Sequence, residues 1–218
     1  MGLAERRARE KEMQRSKRRL EILNAARTLF RVRGYSGTTM EDIAREAELS
    51  PGALYLYFKN KEELWASLSF EVLEHVNETI KRVYNEKEQS AEKKLERLTE
   101  TLYKIYEFDP FSMINLIRLQ ASEKTETCSA ETLFKIDELT AETVRSIARF
   151  FEDAIQAGLF YDRSPIVLAD ILLSLFHGLV LWEESKRIRD PEKNYLKETM
   201  SQAFEVFRYG SEKRTTKE

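Results

Sequence analysis

Between positions 39 and 61 the sequence gathers side chains that suit a phosphate-rich partner. Thr39, Ser50, Tyr55 and Tyr57 bring hydroxyl groups, and Lys61 brings an ammonium group. Between the hydroxyls lies the uncharged run Gly52-Ala53-Leu54-Tyr55-Leu56. Hydroxyl and ammonium groups bind phosphate oxygens. Gly52 and Ala53 are small enough to let a backbone approach base edges, and Ala53 and Leu56 are apolar enough to meet thymine methyls. Together they have the chemistry of a duplex reader.

The elements that would position these groups are short helices. Residues 39–47 and 51–57 read as two helices joined by Glu48-Leu49-Ser50, the spacing of a helix-turn-helix. Thr38 to Glu41 fits a capping box for the first. Ser50-Pro51, a hydroxyl N-cap followed by proline, starts the second. At 100° per residue Leu54 and Phe58 share the inner face. Gly52, Ala53 and Leu56 share the outer one, with Tyr55 and Tyr57 at its edges. The alternative is an interior helix buried all round, and Lys61 weighs against it. A cation in the first turn of a helix is unfavourable beside the unpaired N–H groups there, unless an anion binds both.

The rest of the chain also reads as helix: about 19–33, 60–86, 90–108, 111–123, 129–157, 164–188 and 192–209, with Pro110, Pro165 and Pro191 at helix starts. No strand pattern and no internal repeat emerges. Cys128 reads as a helix-start residue, His75 as an ordinary surface position, and 211–218 as a disordered tail. Segment 164–182 is apolar enough to suggest a membrane, but Asp170 lies inside it, and a charge at the bilayer centre costs about 3 kcal/mol. Two apolar stripes explain it better: Leu168, Ile171, Leu172, Leu175, Leu179 and Trp182 on one side, and Ile166, Ala169, Leu173, Phe176 and Val180 on the other. With Tyr195, Met200, Phe204 and Phe207 they predict a four-helix homodimer interface, with Gly178 allowing close approach.

Composition narrows the function classes. The 218 residues hold two His and one Cys, no glycine-rich phosphate loop and no H-E-x-x-H, so neither an enzyme, a cofactor, a disulfide nor a Cys/His metal site is expected. The start of the chain is charged rather than apolar, which suits a cytoplasmic protein. Net charge is −2 overall but +4 over residues 1–65 and −6 over the remainder. Eight basic side chains within the first 19 residues form an arm of the kind that follows nucleic-acid phosphates.

Gly34-Tyr35, Thr38-Thr39-Met40-Glu41-Asp42-Ile43-Ala44 and SPGALYLYFKNKEEL (50–64) resemble the DNA-binding domain of the TetR family of bacterial transcriptional regulators. The resemblance covers about residues 18–65. It implies an all-α protein: a three-helix DNA-binding domain with a helix-turn-helix, then a helical bundle for effector binding and dimerisation. It further implies a homodimer, usually a repressor, released from a palindromic operator by a small molecule. Carried over by position, Thr39, Tyr55, Tyr57 and Lys61 would touch phosphates, and Gly52, Ala53 and Leu56 would face bases. Glu48 departs from the glycine common in the family's turn and would be strained if the turn needs positive φ. The domains expected are an arm at 1–17, the DNA-binding domain at 18–65, the effector domain at 66–210 and the tail. Seventeen of the 23 aromatic residues follow position 65 and suit an apolar pocket. Tyr103, Tyr106, Met113, Ile117, Phe151, Phe176 and His177 are its candidate walls. YLYFKNKEEL is similar to members that control fatty-acid metabolism, so a long-chain acyl-CoA is the expected effector. A ligand there would push helix 60–86 and shift the DNA-binding units. The competing reading is a helical ligand-binding or interaction module without sequence-specific DNA binding.

Overall fold

Residues 3–33 lack Gly and Pro and are rich in Ala, Arg, Glu and Leu, which lose little freedom on becoming helical. In the computed structural model, which describes residues 2–86, 90–120, 129–190, 192 and 194–211, they form one helix, α1 (Leu3–Arg33). The basic arm, expected as a segment before the first helix, is therefore its N-terminal half. Helix α1 stops at Gly34, whose φ of 71° suits glycine. Three residues on, a Cβ at Gly37 would lie 2.4 Å from the Arg33 carbonyl oxygen, so glycine is required there too.

The chain continues through α2 (Met40–Glu46), α3 (Pro51–Tyr55), α4 (Lys61–Tyr84), α5 (Ala91–Phe108), α6 (Pro110–Gln120), α7 (Ala130–Gln156), α8 (Pro165–Arg187) and α9 (Leu196–Ser211). Among the described residues there is no strand, and the protein is all-α. Cys128, Pro191 and residues 212–218, with the expectations attached to them, lie outside the described residues.

Two compact units divide the chain: Met1–Ser69 with Leu119–Leu133, and Phe70–Arg118 with Phe134–Glu218. The first has a core of Ile22, Ala26, Phe30, Ile43, Ala44, Leu54, Phe58 and Leu64, all buried. Beside it Phe30, Tyr35 and Trp65 pack edge-on or tilted, with ring centroids 4.8–5.6 Å apart. In the second unit Leu98, Phe150, Phe151, Phe160, Leu172, Phe176 and Val180 are buried. Several of its buried polar groups pair with one another. Thr143 Oγ1 donates to Asn77 Oδ1 at 3.2 Å while Asn77 Nδ2 donates to the Leu139 carbonyl at 3.0 Å. Asp153 accepts from Lys94 at 2.6 Å and Tyr84 at 3.1 Å. Glu183, 1% exposed, forms an ion pair with Lys186 and accepts the Tyr195 amide at 2.7 Å. Burial works to raise its pKa, but these hydrogen bonds outweigh it and hold the carboxyl below its usual range. His75 is no ordinary surface residue: it is half-buried and stacks on Phe108 at 4.5 Å.

Candidate nucleic-acid interface

The capping box of α2 falls one residue later than the sequence suggests. Thr38 is fully buried and its hydroxyl donates to the Gly34 carbonyl at 2.9 Å. Thr39 is the N-cap: its Oγ1 accepts from Asp42 N at 3.1 Å. Its own N–H and hydroxyl donate to Asp42 Oδ2 at 3.2 and 3.0 Å. These bonds from Thr39, with Arg45 and Arg33 beyond, hold the Asp42 carboxyl below the usual carboxylate range. Thr39 is exposed, yet a phosphate there would compete with Asp42 for both donors.

The turn needs positive φ. Glu48 has φ 54°, which lets Leu49 N reach the Ala44 carbonyl at 2.8 Å and ends α2 within one residue. A side chain in this region costs about 1–2 kcal/mol over glycine. Ser50 then caps α3, accepting from Ala53 N at 3.2 Å.

Helix α3 divides as its sequence requires. Leu54 and Phe58 are buried, at 0% and 1% exposure. Leu56 is 76% exposed and Tyr55 47%. Gly52 is exposed and nothing lies within 4 Å of a Cβ built on it, so its smallness answers no packing need inside the chain. Ala53 and Tyr57 are half-buried. The outer surface is thus uncharged, small and partly apolar, with an exposed leucine that burial does not explain.

Lys61 is placed differently from the expectation. It opens α4, but its Nζ donates to the carbonyls of Tyr35 at 2.8 Å and Thr38 at 2.9 Å, over the Tyr35 ring at 4.2 Å. The ammonium holds the loop before α2 and retains at most one N–H for a phosphate. Tyr35 in turn donates its hydroxyl to Glu62 at 2.6 Å. Two residues escaped the sequence reading. Lys59 is exposed in the turn between α3 and α4. Arg19 reaches from α1 to the Tyr57 carbonyl at 3.2 Å and to Ser67 Oγ at 2.9 Å, with its guanidinium 4.2 Å from the centroid of the Phe58 ring. Its signal was its place at the edge of the apolar face of α1.

Tyr106, Met113, Ile117, Phe151 and Phe176 are core residues, 1–5% exposed, while Tyr103 and His177 are half-buried. Burial pushes the Tyr103 hydroxyl up to about 12, and burial pushes the His177 imidazole down. Tyr106 accepts from Arg187 at 3.3 Å. Asn115, between Met113 and Ile117, is buried with its Nδ2 lacking a hydrogen bond among the described residues. Among the described residues a cleft of about 310 Å³ shares only Phe151 with that set. Its floor is Leu98, Phe151, Phe160, Leu172 and Phe204, and its rim Glu96, Glu205 and Arg208. Arg208 pairs with Glu96 at 3.2 Å and with Glu92.

Helix α8 is long and apolar enough to cross a membrane. It buries Leu168, Ala169, Leu172, Phe176 and Val180 and exposes Val167, Ile171 and Trp182. Met200 and Phe204, expected at a subunit interface, are instead 1% and 5% exposed within the chain, so they belong to its own core.

A family model described as bacterial regulatory proteins, tetR family, matches residues 22–68. The HTH-type transcriptional regulator YhgD of Bacillus subtilis is 27% identical over 175 residues, 78% of this chain and 87% of that protein. IcaR of Staphylococcus aureus, the negative transcriptional regulator of the biofilm operon icaADBC, is 26% identical over 136 residues, 62% of this chain and 69% of its own. The crystallised fatty acid degradation regulator FadR of Bacillus halodurans shares the fold, with a TM-score of 0.69 and 20% identity over 88% of this chain and 95% of that one. A helix-turn-helix thus lies inside the segment that matches the tetR-family model, and the helical remainder shares the fold of solved TetR-family regulators.

Proposed function

We propose that the protein is a cytoplasmic repressor that binds a palindromic operator as a homodimer and is released by a small, largely apolar effector. The observation that carries the DNA reading is the outer surface of α3, where Gly52, Tyr55 and the 76%-exposed Leu56 stand uncovered without a charge among them. In this reading α3 enters the major groove. Gly52, Ala53 and Leu56 face base edges, and Ser50, Tyr55 and Tyr57 reach phosphates at the rim. Lys61 acts chiefly by fixing the loop before α2, and Thr39 shares its donors between Asp42 and a phosphate. A module that binds only small ligands would have no use for so bare a helix.

The exposed α8 stripe of Val167, Ile171 and Trp182 supports dimerisation, since a symmetric partner covers it with the same residues. The effector seat favoured is the cleft bounded by α5, α7, α8 and α9, at the small end of the range of about 300–1,000 Å³ for ligand sites. Its rim carboxylates outnumber its one guanidinium. That suits a compact apolar amine better than the polyanionic head of a long-chain acyl-CoA. The acyl-CoA reading retains the aliphatic helices and the shared fold with FadR in its favour, and it is the second ligand to test.

Selection from a randomised duplex library tests the DNA reading. The wild-type chain should enrich a two-fold symmetric sequence, with half-sites about 34–36 Å apart. Gly52→Glu should fold equally well, because its side chain meets open space, and should enrich nothing. Equal enrichment by both proteins defeats the proposal.

A further inference from the structure

The N-terminal half of α1 is exposed on all sides. Residues 5–17 pack against nothing, yet the helix continues unbroken from Leu3 into the core at Ile22. Thirteen such residues extend about 20 Å, the length of roughly six base pairs of duplex. Charge on this extension is sorted by face. At 100° per residue Arg7, Lys11, Arg15 and Arg18 fall within one stripe, about 80° wide, that contains no acidic residue. Glu5, Glu10 and Glu12 fall on the other faces, among Arg6, Arg9 and Lys17. Arg7, Lys11 and Arg15 hold no ion pair among the described residues, whereas Arg18 pairs with Glu21 at 2.6 Å.

The root of the stripe is fixed to the reading surface. Arg19 joins α1 to the Tyr57 carbonyl and the Phe58 ring, at the C-terminal end of α3. Its second nitrogen bonds Ser67 Oγ, which donates to the Glu63 carbonyl at 2.8 Å. The extension therefore leaves the domain beside the recognition helix, as a rod and not as a loose tail. All of it lies N-terminal to residues 22–68, the segment the family shares.

We infer that this helical extension is a second DNA-binding surface, which lies along the phosphate backbone flanking the operator with Arg7, Lys11 and Arg15 facing the duplex. The inference rests on the DNA reading above. A rod needs little ordering on binding, so each charge costs less to place than one on a disordered arm. Phosphate contacts of this kind carry no sequence information; they lengthen the footprint and steepen the salt dependence.

The test uses the full chain and the duplex it selects, either cut to its symmetric core or carrying roughly 10 base pairs more on each side. Wild type should bind the longer duplex at least tenfold more tightly than the core. Arg7→Gln/Lys11→Gln/Arg15→Gln, three exposed changes to a good helix former, should keep the core affinity within about threefold and lose the gain from flanks. With three charges in each of two subunits, its salt slope on the longer duplex should be shallower by about five. Arg6→Gln/Arg9→Gln/Lys17→Gln removes the same charge from the other faces and should retain most of the gain. Circular dichroism checks that both variants keep the helix. Equal losses in the two variants, or no gain from flanks in wild type, overturn the stripe. A wild-type chain that selects no duplex overturns the DNA reading itself and the stripe with it.

Discussion

Lys61 and Asp42 hold opposite ends of the same short loop. The ammonium of Lys61 bonds the carbonyls of Tyr35 and Thr38, and the carboxylate of Asp42 bonds the N–H and hydroxyl of Thr39. Lys61→Met keeps the aliphatic stem and leaves both carbonyls without their donor. It should cost about 1–3 kcal/mol in urea denaturation and weaken DNA binding to all sequences alike, since the loop positions α2. Unchanged stability would mean that water replaces the ammonium at no cost. Asp42 makes the loop sensitive to acid. Its folded pKa lies below the unfolded value, so its contribution is complete above about pH 4 and is lost as pH falls through the folded pKa. The stability difference between wild type and Asp42→Asn should be constant from pH 7 to 5 and close below pH 4; a gap that persists in acid would show that the carboxylate's charge is not what matters. The sequence made part of this legible. A cation in a first turn and a threonine at a helix start both marked the loop as special. What they bond could not be read there, because the Lys61 acceptors are backbone carbonyls more than twenty residues earlier, and a carbonyl has no residue-type signature.

Most helix boundaries followed from capping residues and glycines to within about two positions, although α1 begins at Leu3 where position 19 was expected and α9 at Leu196 where 192 was expected, and α3 turned its inner and outer faces as the 100° spacing requires. Helix α8 is where periodicity ran out. Its residues are apolar on nearly every side, so the sequence offered two stripes and no reason to prefer either as the outer one. The fold decides it: α8 packs against α9, with Leu172, Phe176 and Val180 buried and Val167, Ile171 and Trp182 outside. The same packing takes Met200 and Phe204 into the core. Two substitutions that look alike in sequence should therefore behave differently. Trp182→Glu puts charge on an exposed face and, applied twice across a two-fold axis, should give a folded monomer with at least tenfold weaker operator binding. Phe204→Glu buries a charge and removes a core aromatic, and should cost about 3–5 kcal/mol before any question of assembly arises. Sedimentation and thermal denaturation, run on both, separate the two effects. A dimeric Trp182→Glu protein of wild-type affinity would place the subunit interface elsewhere.

At the scale of the whole molecule the basic charge lies towards the N-terminal, DNA-reading end of the chain and the acidic charge follows it, with net +4 up to residue 65 and −6 beyond. The cleft belongs to the acidic part, and Glu92, Glu96 and Glu205 stand around Arg208 at its mouth. An anionic ligand must break the ion pairs of Arg208 and face the carboxylates that remain. A cationic one leaves those pairs intact and gains the carboxylates, together with the faces of Phe207 and Tyr209. Binding to the folded state alone raises stability by about 2.7 kcal/mol at a hundred times Kd, or roughly 5–10 °C in Tm for a chain of this length. A hydrophobic amine with an aryl or short alkyl body should produce that shift, and palmitoyl-CoA should produce little. Glu96→Gln/Glu205→Gln should abolish the preference while leaving neutral analogues bound. If the amine is an effector, linkage requires that it lower operator affinity by the factor by which the operator lowers its own, typically about 5–150-fold. An acyl-CoA that raises the Tm and releases the operator, where the amine does neither, would overturn the charge argument and return the site to fatty-acid chemistry.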